Sequence, residues 1–179
     1  MTEPRASRPR IPGYGVPDDD AGTLPWSWAR EQLEQALVYW VASVKPDTHA
    51  HLMPTWGAWV DDRFYFEGGL QTRRARNIDA NPWVSVGIGE GNQAVIVEGE
   101  ARNIAPVSDE RLIGALLAGY AKYRASDGYD ADPANWQDPA GGLWELRPSV
   151  VFGWSRFPET TTRWHFDPES GAAPDRPDR

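Results

Sequence analysis

Polar and apolar residues alternate with a period of two through most of the chain between positions 38 and 104, which is the pattern of half-buried β-strands. The predicted strands are 38–44, 49–60, RFYFEGG (63–69), WVSVGIGEG (83–91) and QAVIVEGEARNI (93–104), followed later by LWELRPSVVFGW (143–154) and TTRWHF (161–166). Turn residues separate the early strands at 45–48, 61–62 and 91–92. A hairpin is expected across 45–48, and a meander is the simplest connection for the first three strands.

Three segments have helical periodicity instead. The first begins near Ser27, an acceptable N-cap, and continues through WAREQLEQAL. The second is a short helix within 72–82 that Pro82 stops, and the third runs from Ser108, a possible N-cap, to Arg124. Many short strands with only two or three helices predict a mainly β fold built as an antiparallel barrel.

The two ends of the chain differ in composition from its middle. Residues 1–24 are rich in proline, glycine and aspartate, and residues 167–179 read DPESGAAPDRPDR. Such segments bury too little apolar surface to offset the entropy of ordering them, so we expect a flexible N-terminal arm and a flexible C-terminal tail, either disordered or lying on a partner subunit. Residues 25–166 then form one domain of ordinary size.

Charge and composition narrow the function classes. A net charge of −8 argues against a general nucleic-acid binder, which presents a basic face. No apolar run approaches the ~20 residues of a membrane span, and the polar N-terminus does not resemble a secretory signal, so a cytoplasmic protein is expected. The absence of cysteine excludes disulfides, thiolate metal sites and a thiol nucleophile. Neither a Gly-x-Ser-x-Gly elbow nor a P-loop or Rossmann fingerprint is present.

A concentration of positive charge stands where the third strand ends and the second helix starts. A hydroxyl and three guanidiniums occur there within five positions, as Thr72, Arg73, Arg74 and Arg76. Helix N-termini present unpaired N–H groups, so a phosphate at this point would gain charge-assisted hydrogen bonds. The alternative is that the arginines lie on a solvated helix face and pair with Asp79 or other surface acids.

The strand 49–60 carries a His-x-His pair. The period of two places His49, His51, Met53 and Thr55 on one face and Ala50, Leu52, Pro54 and Trp56 on the other. Two imidazoles on one face would need a third ligand to hold a metal, and the remaining histidine is His165, so no metal site is predicted. The pair forms either a surface that faces a ligand or an ordinary, partly exposed strand face.

The order of these elements resembles that of the pyridoxamine 5'-phosphate oxidase-like superfamily, and within it the actinobacterial flavin/deazaflavin-dependent oxidoreductases. The segments that carry the resemblance are YWVASVKPDTHAHLMPTWGAWVDDRFYFEGG, TRRARNIDANPWVSV, VIVEGEARNI and LWELRPSVVFGW with TTRWHF, within residues 26–166. The resemblance implies a split β-barrel of antiparallel strands, of the FMN-binding type, with two or three flanking helices.

The resemblance also implies a set of cofactor-binding residues. The family's Ser/Thr-Arg-Lys phosphate motif matches Thr72, Arg73 and Arg74, continued on the helix by Arg76 and Asn77. The strand beside the isoalloxazine ring and the strand end beside the ribityl chain match a second group, which is His51, Met53, Pro54, Thr55, Trp56, Glu67 and Gly68. A third group near the family's C-terminal Trp and Arg-x-His positions, which reach across the dimer, is Trp154, Arg163 and His165. The family's glutamine before "V-x-G" is Ala94 here, which removes a polar contact of the true oxidases.

The implied function is an oxidoreductase that transfers hydride between FMN or the deazaflavin coenzyme F-420 and a small organic substrate. The implied assembly is a homodimer with the cofactor at its interface, and no catalytic acid or base is identified. The ten tryptophans suit either a core and subunit interface or a wall against an aromatic ligand. The alternatives are a non-catalytic protein of the same fold that binds a flavin, haem or another planar ligand, and a scaffold without a cofactor.

Overall fold

A computed structural model of the protein describes residues 3–167. Within them the strands are β1 (Arg5–Ser7), β2 (Tyr39–Val44), β3 (Ala50–Thr55), β4 (Ala58–Val60), β5 (Arg63–Glu67), β6 (Trp83–Glu90), β7 (Gln93–Asn103), β8 (Leu143–Trp154) and β9 (Thr162–His165). The helices are α1 (Trp26–Gln35), α2 (Arg73–Ala80), α3 (Glu110–Tyr120), α4 (Lys122–Asp127) and α5 (Pro133–Gln137). No helix in this part of the chain is long and apolar enough to cross a membrane.

All the strand pairs are antiparallel, in the order β1-β9-β8-β7-β6-β2-β3. The long strand β8 pairs with β5 through its first half and with β9 through its second half, and β4 pairs with β5. Within residues 3–167 the sheet does not close, because no ladder joins β3 to β4 or β5. The predicted mainly β fold, a split barrel of antiparallel strands, is confirmed.

The two predicted hairpins are present, β2–β3 across 45–48 and β4–β5 across Asp61 and Asp62, but the continuous meander that would join them is wrong. The segment 49–60 is broken at Trp56 and Gly57 into β3 and β4, and β5 pairs with β8 instead of continuing beside β3. The Tyr123 hydroxyl holds both backbone polar groups of Gly57 at 3.0 Å, accepting from its N–H and donating to its carbonyl. A Cβ at position 57 would lie 2.4 Å from the ring of Phe64. The chain therefore turns inward at a residue that must be glycine.

Two predicted helix starts are corrected. The first helix begins at Trp26 after Pro25, one residue before the predicted cap Ser27, and Trp26 is buried. The helix predicted from Ser108 is capped by Asp109, whose carboxylate accepts from two N–H groups of the first turn, and the segment divides into α3 and α4 around Ala121. The second helix is confirmed within its predicted bounds. Helix α5 was not predicted; its N-cap is Asp132 and its first residue is Pro133.

The sheet has two distinct faces. The inner face carries a fully buried row, in register from β2 to β9, of Val41, Val86, Val97, Val151 and Trp164. The residues next to these along the strands form a second row on the outer face. It consists, from β3 to β9, of Pro54, Trp40, Gly87, Ile96, Phe152 and Arg163. Because successive side chains alternate between faces, the core lies on one side of the sheet, and within residues 3–167 the outer face keeps exposed side chains such as Trp40 and Pro54.

The N-terminal segment contributes a strand that the sequence pattern did not predict. Residues Arg5–Ser7 pair with β9, and the Arg8 guanidinium donates to the carbonyls of Asp19 (2.9 Å) and Thr161 (2.7 Å). The division into an arm at 1–24, a domain at 25–166 and a tail at 167–179 stays a prediction, and residues 168–179 of that tail lie outside the described part of the chain.

The β4–β5 turn also fastens helix α1. Asp61 and Asp62 both have positive φ, 51° and 57°, which is the conformation of a type I′ hairpin turn. The Asp62 carboxylate accepts from the indole N–H of Trp26 at 3.1 Å and from the Arg30 guanidinium at 2.9 and 3.2 Å. A tight turn on the barrel thus holds the start of α1.

A buried carboxylate joins β5, β7 and β8. Glu145, whose side chain is 4% exposed, accepts from Arg63 at 2.8 Å, Arg147 at 3.1 Å and Arg102 at 3.1 Å. Burial acts to raise the pKa of Glu145, but the surrounding guanidiniums outweigh burial and hold the pKa below its ordinary value. The stabilisation by this carboxylate is therefore present above the ordinary pKa of glutamate and is lost as the pH falls through the lowered value of the folded state.

We expect Glu145→Gln to lower the free energy of unfolding at neutral pH by about 2–3 kcal/mol, because the guanidiniums lose their buried charged acceptor. The difference between the variant and the wild type should shrink as the pH falls below about 4. Urea unfolding at several pH values measures both effects. Glu100→Gln, an exposed change in neighbouring β7, is the control. An unfolding free energy unchanged in Glu145→Gln at neutral pH would contradict the expectation.

Candidate functional site

A cationic cleft opens beside the edge strand β3. It has a volume of about 580 Å³ and is lined by Lys45, Pro46, Asp47, His51 and Arg73. The β2–β3 turn supplies the first three residues, β3 supplies the imidazole, and the start of α2 supplies the guanidinium. The turn predicted at 45–48 is confirmed, with the Lys45 N–H donating to the His49 carbonyl at 3.0 Å.

The start of α2 follows from its sequence. Thr72 has extended backbone, and its Oγ1 accepts from the Ala75 N–H at 3.2 Å, as an N-cap threonine does. Arg73 is the first helical residue; it is exposed and reaches the cleft. The remaining N–H groups of the first turn and the helix dipole favour an anion beside this guanidinium.

The other two arginines of the cluster have different partners. Arg74 turns inward: its guanidinium carbon lies 4.6 Å from the centroid of the Phe66 ring, and Nη2 donates to the Glu67 carbonyl at 2.8 Å. Burial lowers the pKa of Arg74. Arg76 is exposed and donates to the Gln71 carbonyl at 2.9 Å. To bind a ligand in the cleft, Arg74 would have to leave β5, so among the three arginines the geometry favours Arg73.

The acid in the cleft is partly neutralised by its neighbours. The Asp47 carboxylate lies 3.1 Å from Nδ1 of His49 and 3.9 Å from Nζ of Lys45. The hydrogen bond from His49 is the main cause of a lowered pKa of Asp47. His49 lies in the turn before β3 and is exposed. It is therefore separate from His51, which lies on the strand. Within residues 3–167 no group of three potential metal-ligating side chains comes together.

Strand β3 presents its site residues on both faces. His51, Met53 and Thr55 share the inner face with Ser43 and Val41 of β2, whereas Pro54 shares the outer face with Trp40. Met53 is 47% exposed despite its inward position, because β3 is the edge strand and no described element covers it there. The inner face of β3 is therefore open to a ligand that extends from the cleft.

An aromatic cluster stands at the far end of β3. Trp56 is stacked on Tyr123, with ring centroids 5.2 Å apart, and contacts Tyr129 at 5.0 Å. The carboxylate of Glu67 fixes this region, since Tyr129 Oη donates to one of its oxygens and Trp136 Nε1 donates to the other at 2.5 Å. Both oxygens of Glu67 thus accept hydrogen bonds from the segment 129–136.

Gly68 lies at a close crossing of two chain segments. Its N–H donates to the Gly142 carbonyl at 2.9 Å, and its carbonyl accepts from the indole of Trp144 at 2.8 Å. A Cβ at position 142 would lie 1.9 Å from the Gly68 carbonyl oxygen. The crossing brings the end of β5 against the start of β8, four residues before Thr72, the cap of α2.

Asn77 does not reach the surface. It lies on the inward side of α2 and is fully buried, and its Nδ2 donates to the Ser43 hydroxyl at 3.0 Å. Its Oδ1 and the Nδ1 atom of His51 are both buried without a hydrogen-bond partner in the described residues. Ser43 was not predictable from the sequence, because a lone serine in an alternating strand has no distinctive pattern. Lys45 was predicted only as a turn residue.

The third predicted group lies far from the cleft along the sheet. Trp154, Arg163 and His165 are on β8 and β9, which the strand order separates from β3 by β7, β6 and β2. Their register places all three on the outer face, with Trp154 donating to the Gly91 carbonyl at 3.0 Å. A single chain therefore does not bring them together with Arg73.

Comparisons with known proteins agree with this architecture. No protein of curated function matches the sequence significantly. Solved structures with this fold include an F-420 reductase, at 23% identity and a TM-score of 0.52 over 68% of this chain and 94% of the other. A FAD-binding protein from Mesorhizobium loti matches at 16% identity and a TM-score of 0.55 over 80% and 96%. A heme-binding protein from Mycobacterium smegmatis matches at 16% identity and a TM-score of 0.55 over 73% and 54%.

At these levels of sequence identity, the similarity shows a shared fold and does not show a shared reaction. The sequence itself gives the stronger result, because the family model described as pyridoxamine 5'-phosphate oxidase matches residues 28–155. That span runs from α1 to the end of β8, and so includes the cleft, the start of α2 and the aromatic cluster. The chain belongs to the pyridoxamine 5'-phosphate oxidase family.

Proposed function

We propose that this chain is an oxidoreductase that binds FMN or the deazaflavin coenzyme F-420 and transfers hydride between it and a small organic substrate. The observation that carries the proposal is the cationic cleft at the start of α2, in which Arg73 lies beside Lys45 at the open edge of the barrel. A phosphate there would accept hydrogen bonds from the guanidinium and from N–H groups of the first helical turn.

The residues present fit such a cofactor. A volume of about 580 Å³ lies within the ~300–1,000 Å³ typical of small-molecule sites. From His51 to Trp56 the extended chain spans about 16 Å, which suits a ligand with a phosphate at one end and a planar ring at the other. Along that path Met53 and Thr55 offer an open inner face, and Trp56 closes the end.

The protein's own part in the reaction is binding, orientation and exclusion of water. Arg73 and the start of α2 would hold the phosphate, and the inner face of β3 would support the rest of the cofactor. Trp56 is braced by Tyr123 and Tyr129 and would shield one end of the site from solvent. When bound, the cofactor would supply the hydride chemistry.

A homodimer is part of the proposal. Three large apolar side chains on the outer face are about half exposed in the single chain, Trp40 at 47%, Leu52 at 55% and Trp83 at 51%. Soluble monomers rarely expose several large apolar side chains on one sheet face, so a second copy is the partner that fits this face. The same face carries Trp154, Arg163 and His165, which a second copy would bring into a shared interface.

Spectroscopic titration tests the proposal. Purified protein is titrated with FMN and with F-420, the bound cofactor is reduced, and a panel of small organic acceptors is added. We expect one cofactor per chain and reoxidation by at least one acceptor faster than in the absence of protein. Failure of both cofactors to bind would refute the proposal.

The second candidate is a non-catalytic binding protein for a planar ligand such as haem. It is favoured by the likeness to the heme-binding protein and by the exposure of Met53 beside His51 on one strand face, since both side chain types can ligate haem iron. Tight binding of haem or flavin without turnover in the same titration would select this candidate.

A further inference from the structure

We propose that Lys122 is a nucleophilic amine that takes an acyl group from a small activated donor, such as an acyl phosphate. Lys122 does not line the cleft, and this inference does not depend on the proposed function. Only two of the 18 lysines and arginines of the chain are lysines, Lys45 and Lys122. Arginine stays charged in proteins, whereas a buried lysine readily gives up its proton. Among the side chains, amine chemistry is therefore confined to these two residues.

Lys122 joins three elements through its amine. It is the first residue of α4, and its Nζ donates to the Glu34 carbonyl near the end of α1 at 3.0 Å and to the hydroxyl of Tyr39, the first residue of β2, at 2.8 Å. The Tyr39 hydroxyl donates its own hydrogen to the Leu33 carbonyl of α1. Toward Lys122 the phenol oxygen is therefore an acceptor.

The amine lies among aromatic rings instead of beside a carboxylate. Nζ is 5.0 Å from the centroid of the Tyr39 ring and 5.3 Å from that of Tyr123. In the described part of the chain no ion pair joins Lys122 to a carboxylate, whereas Nζ of Lys45 lies 3.9 Å from a carboxylate oxygen. The surroundings of Lys122 therefore favour the neutral amine over the ammonium.

The titratable groups around Nζ agree with this. Burial lowers the pKa of Lys122 to about 8, and the carboxylate of Glu34 acts in the opposite direction. Burial raises the pKa of both neighbouring phenols, Tyr39 and Tyr123, so both stay neutral over the range in which Lys122 loses its proton. At neutral pH about a tenth of the Lys122 side chains then carry the free amine.

The hydrogen bonds also orient the free amine. Without its third proton, Nζ keeps two hydrogens and gains a lone pair. The two hydrogens stay on the Glu34 carbonyl and the Tyr39 hydroxyl, which are both acceptors, so the lone pair takes the remaining tetrahedral direction. Lys122 is half-buried, and its contact with Glu34 lies at the surface, where a small donor can reach Nζ.

The reaction is a simple acyl transfer. The lone pair of Nζ attacks the acyl carbon and forms an N–C bond, the bond from that carbon to the phosphate oxygen breaks, phosphate leaves with the electron pair, and one proton passes from Nζ to water. The amide has one hydrogen on Nζ, so it serves the Glu34 carbonyl or the Tyr39 hydroxyl but not both. Acylation thus weakens the attachment of α4 to α1, one residue before Tyr123, on which Trp56 is stacked.

Acetyl phosphate is the probe that tests the inference. The full chain is incubated with it at about pH 8, and mass spectrometry measures the acetylation of each lysine. We expect Lys122 to react about tenfold faster than Lys45, because about half of the Lys122 side chains are free amine at that pH, compared with under about 1% of lysines in water. In concentrated urea, which removes the contacts with Glu34 and Tyr39, the two rates should become similar.

Two matched variants assign the reaction. Lys122→Arg should abolish the fast acetylation, and Lys45→Arg should leave it unchanged. In Lys45→Arg, carbon-13 NMR of the remaining lysine Cε should titrate with a midpoint of about 8.

A purely structural ammonium gives the opposite results, since it is shielded by its contacts. Acetylation of Lys122 slower than that of Lys45, or a midpoint near the ~10.4 of lysine in water, would overturn the inference. A preference for Lys122 that persists in urea would also overturn it, because the fold would then not be its cause.

Discussion

Arg73→Ala is expected to weaken the binding of FMN or F-420 by about ten- to a hundredfold. Arg73 is exposed at the first position of α2 and lines the cleft, so its loss removes charge-assisted hydrogen bonds to a phosphate. Each such bond contributes about 1.5–3 kcal/mol, and every 1.4 kcal/mol corresponds to a factor of ten. Isothermal titration with each cofactor measures the change.

The neighbouring arginine provides the contrast. Arg74 packs on Phe66 and donates to the Glu67 carbonyl, so Arg74→Ala should lower the free energy of unfolding by about 1–3 kcal/mol and affect affinity less than Arg73→Ala does. Arg111→Ala, an exposed change on α3, controls for net charge. Equal dissociation constants for the wild type and Arg73→Ala with both cofactors would contradict the assignment of the phosphate site to the cleft.

Leu52→Asp is expected to convert the protein from a dimer to a monomer. Leu52 is 55% exposed on the outer face of β3, so the aspartate stays solvated in a single chain but would be buried against a second copy. Burying an unpaired carboxylate costs several kcal/mol, enough to raise the dissociation constant of the dimer by about a hundredfold or more. Light scattering should give twice the 20.0 kDa chain mass for the wild type and the single mass for the variant.

Leu117→Asp provides the matched control. Leu117 is also exposed, at 38%, but it lies on α3 rather than on the outer face of the sheet. This variant should remain a dimer with wild-type affinity for the cofactor. A wild-type protein that is monomeric at micromolar concentration, or a Leu52→Asp variant that stays dimeric, would contradict the assignment of the outer face as the interface.

The strands of the barrel were predictable because their burial follows the sequence period. Val41, Val86 and Val97 each stand between more exposed neighbours, and all three are fully buried on the inner face. The break of the second predicted strand was not predictable, since Gly57 is held by Tyr123, 66 residues away. Strand β1 was missed because three residues among prolines show no period.

The sequence predicted the kind of site, an anion site at the start of α2, but not which side chains face it. The charge cluster at the start of α2 was visible, but successive helical residues point about 100° apart, so the sequence could not tell which guanidinium faces outward. The structure distinguishes Arg73 from Arg74 by the position of Phe66, which depends on how β5 packs. Ser43 and Asn77 become a pair only when β2 and α2 meet.

The turn at Asp61 and Asp62 has two roles that separate residues usually fill. It reverses the chain between β4 and β5, and its Asp62 carboxylate holds helix α1. The Asn-Gly pair that suits a type I′ turn best would relax the backbone at both positions, where φ is 51° and 57°. At position 62 it would also remove the carboxylate that holds Trp26 and Arg30, and with it the attachment of α1. Asparagine or glycine at position 61 gives up an exposed ion pair with Arg111, so it should cost less stability than a change at position 62, which releases Trp26 and Arg30.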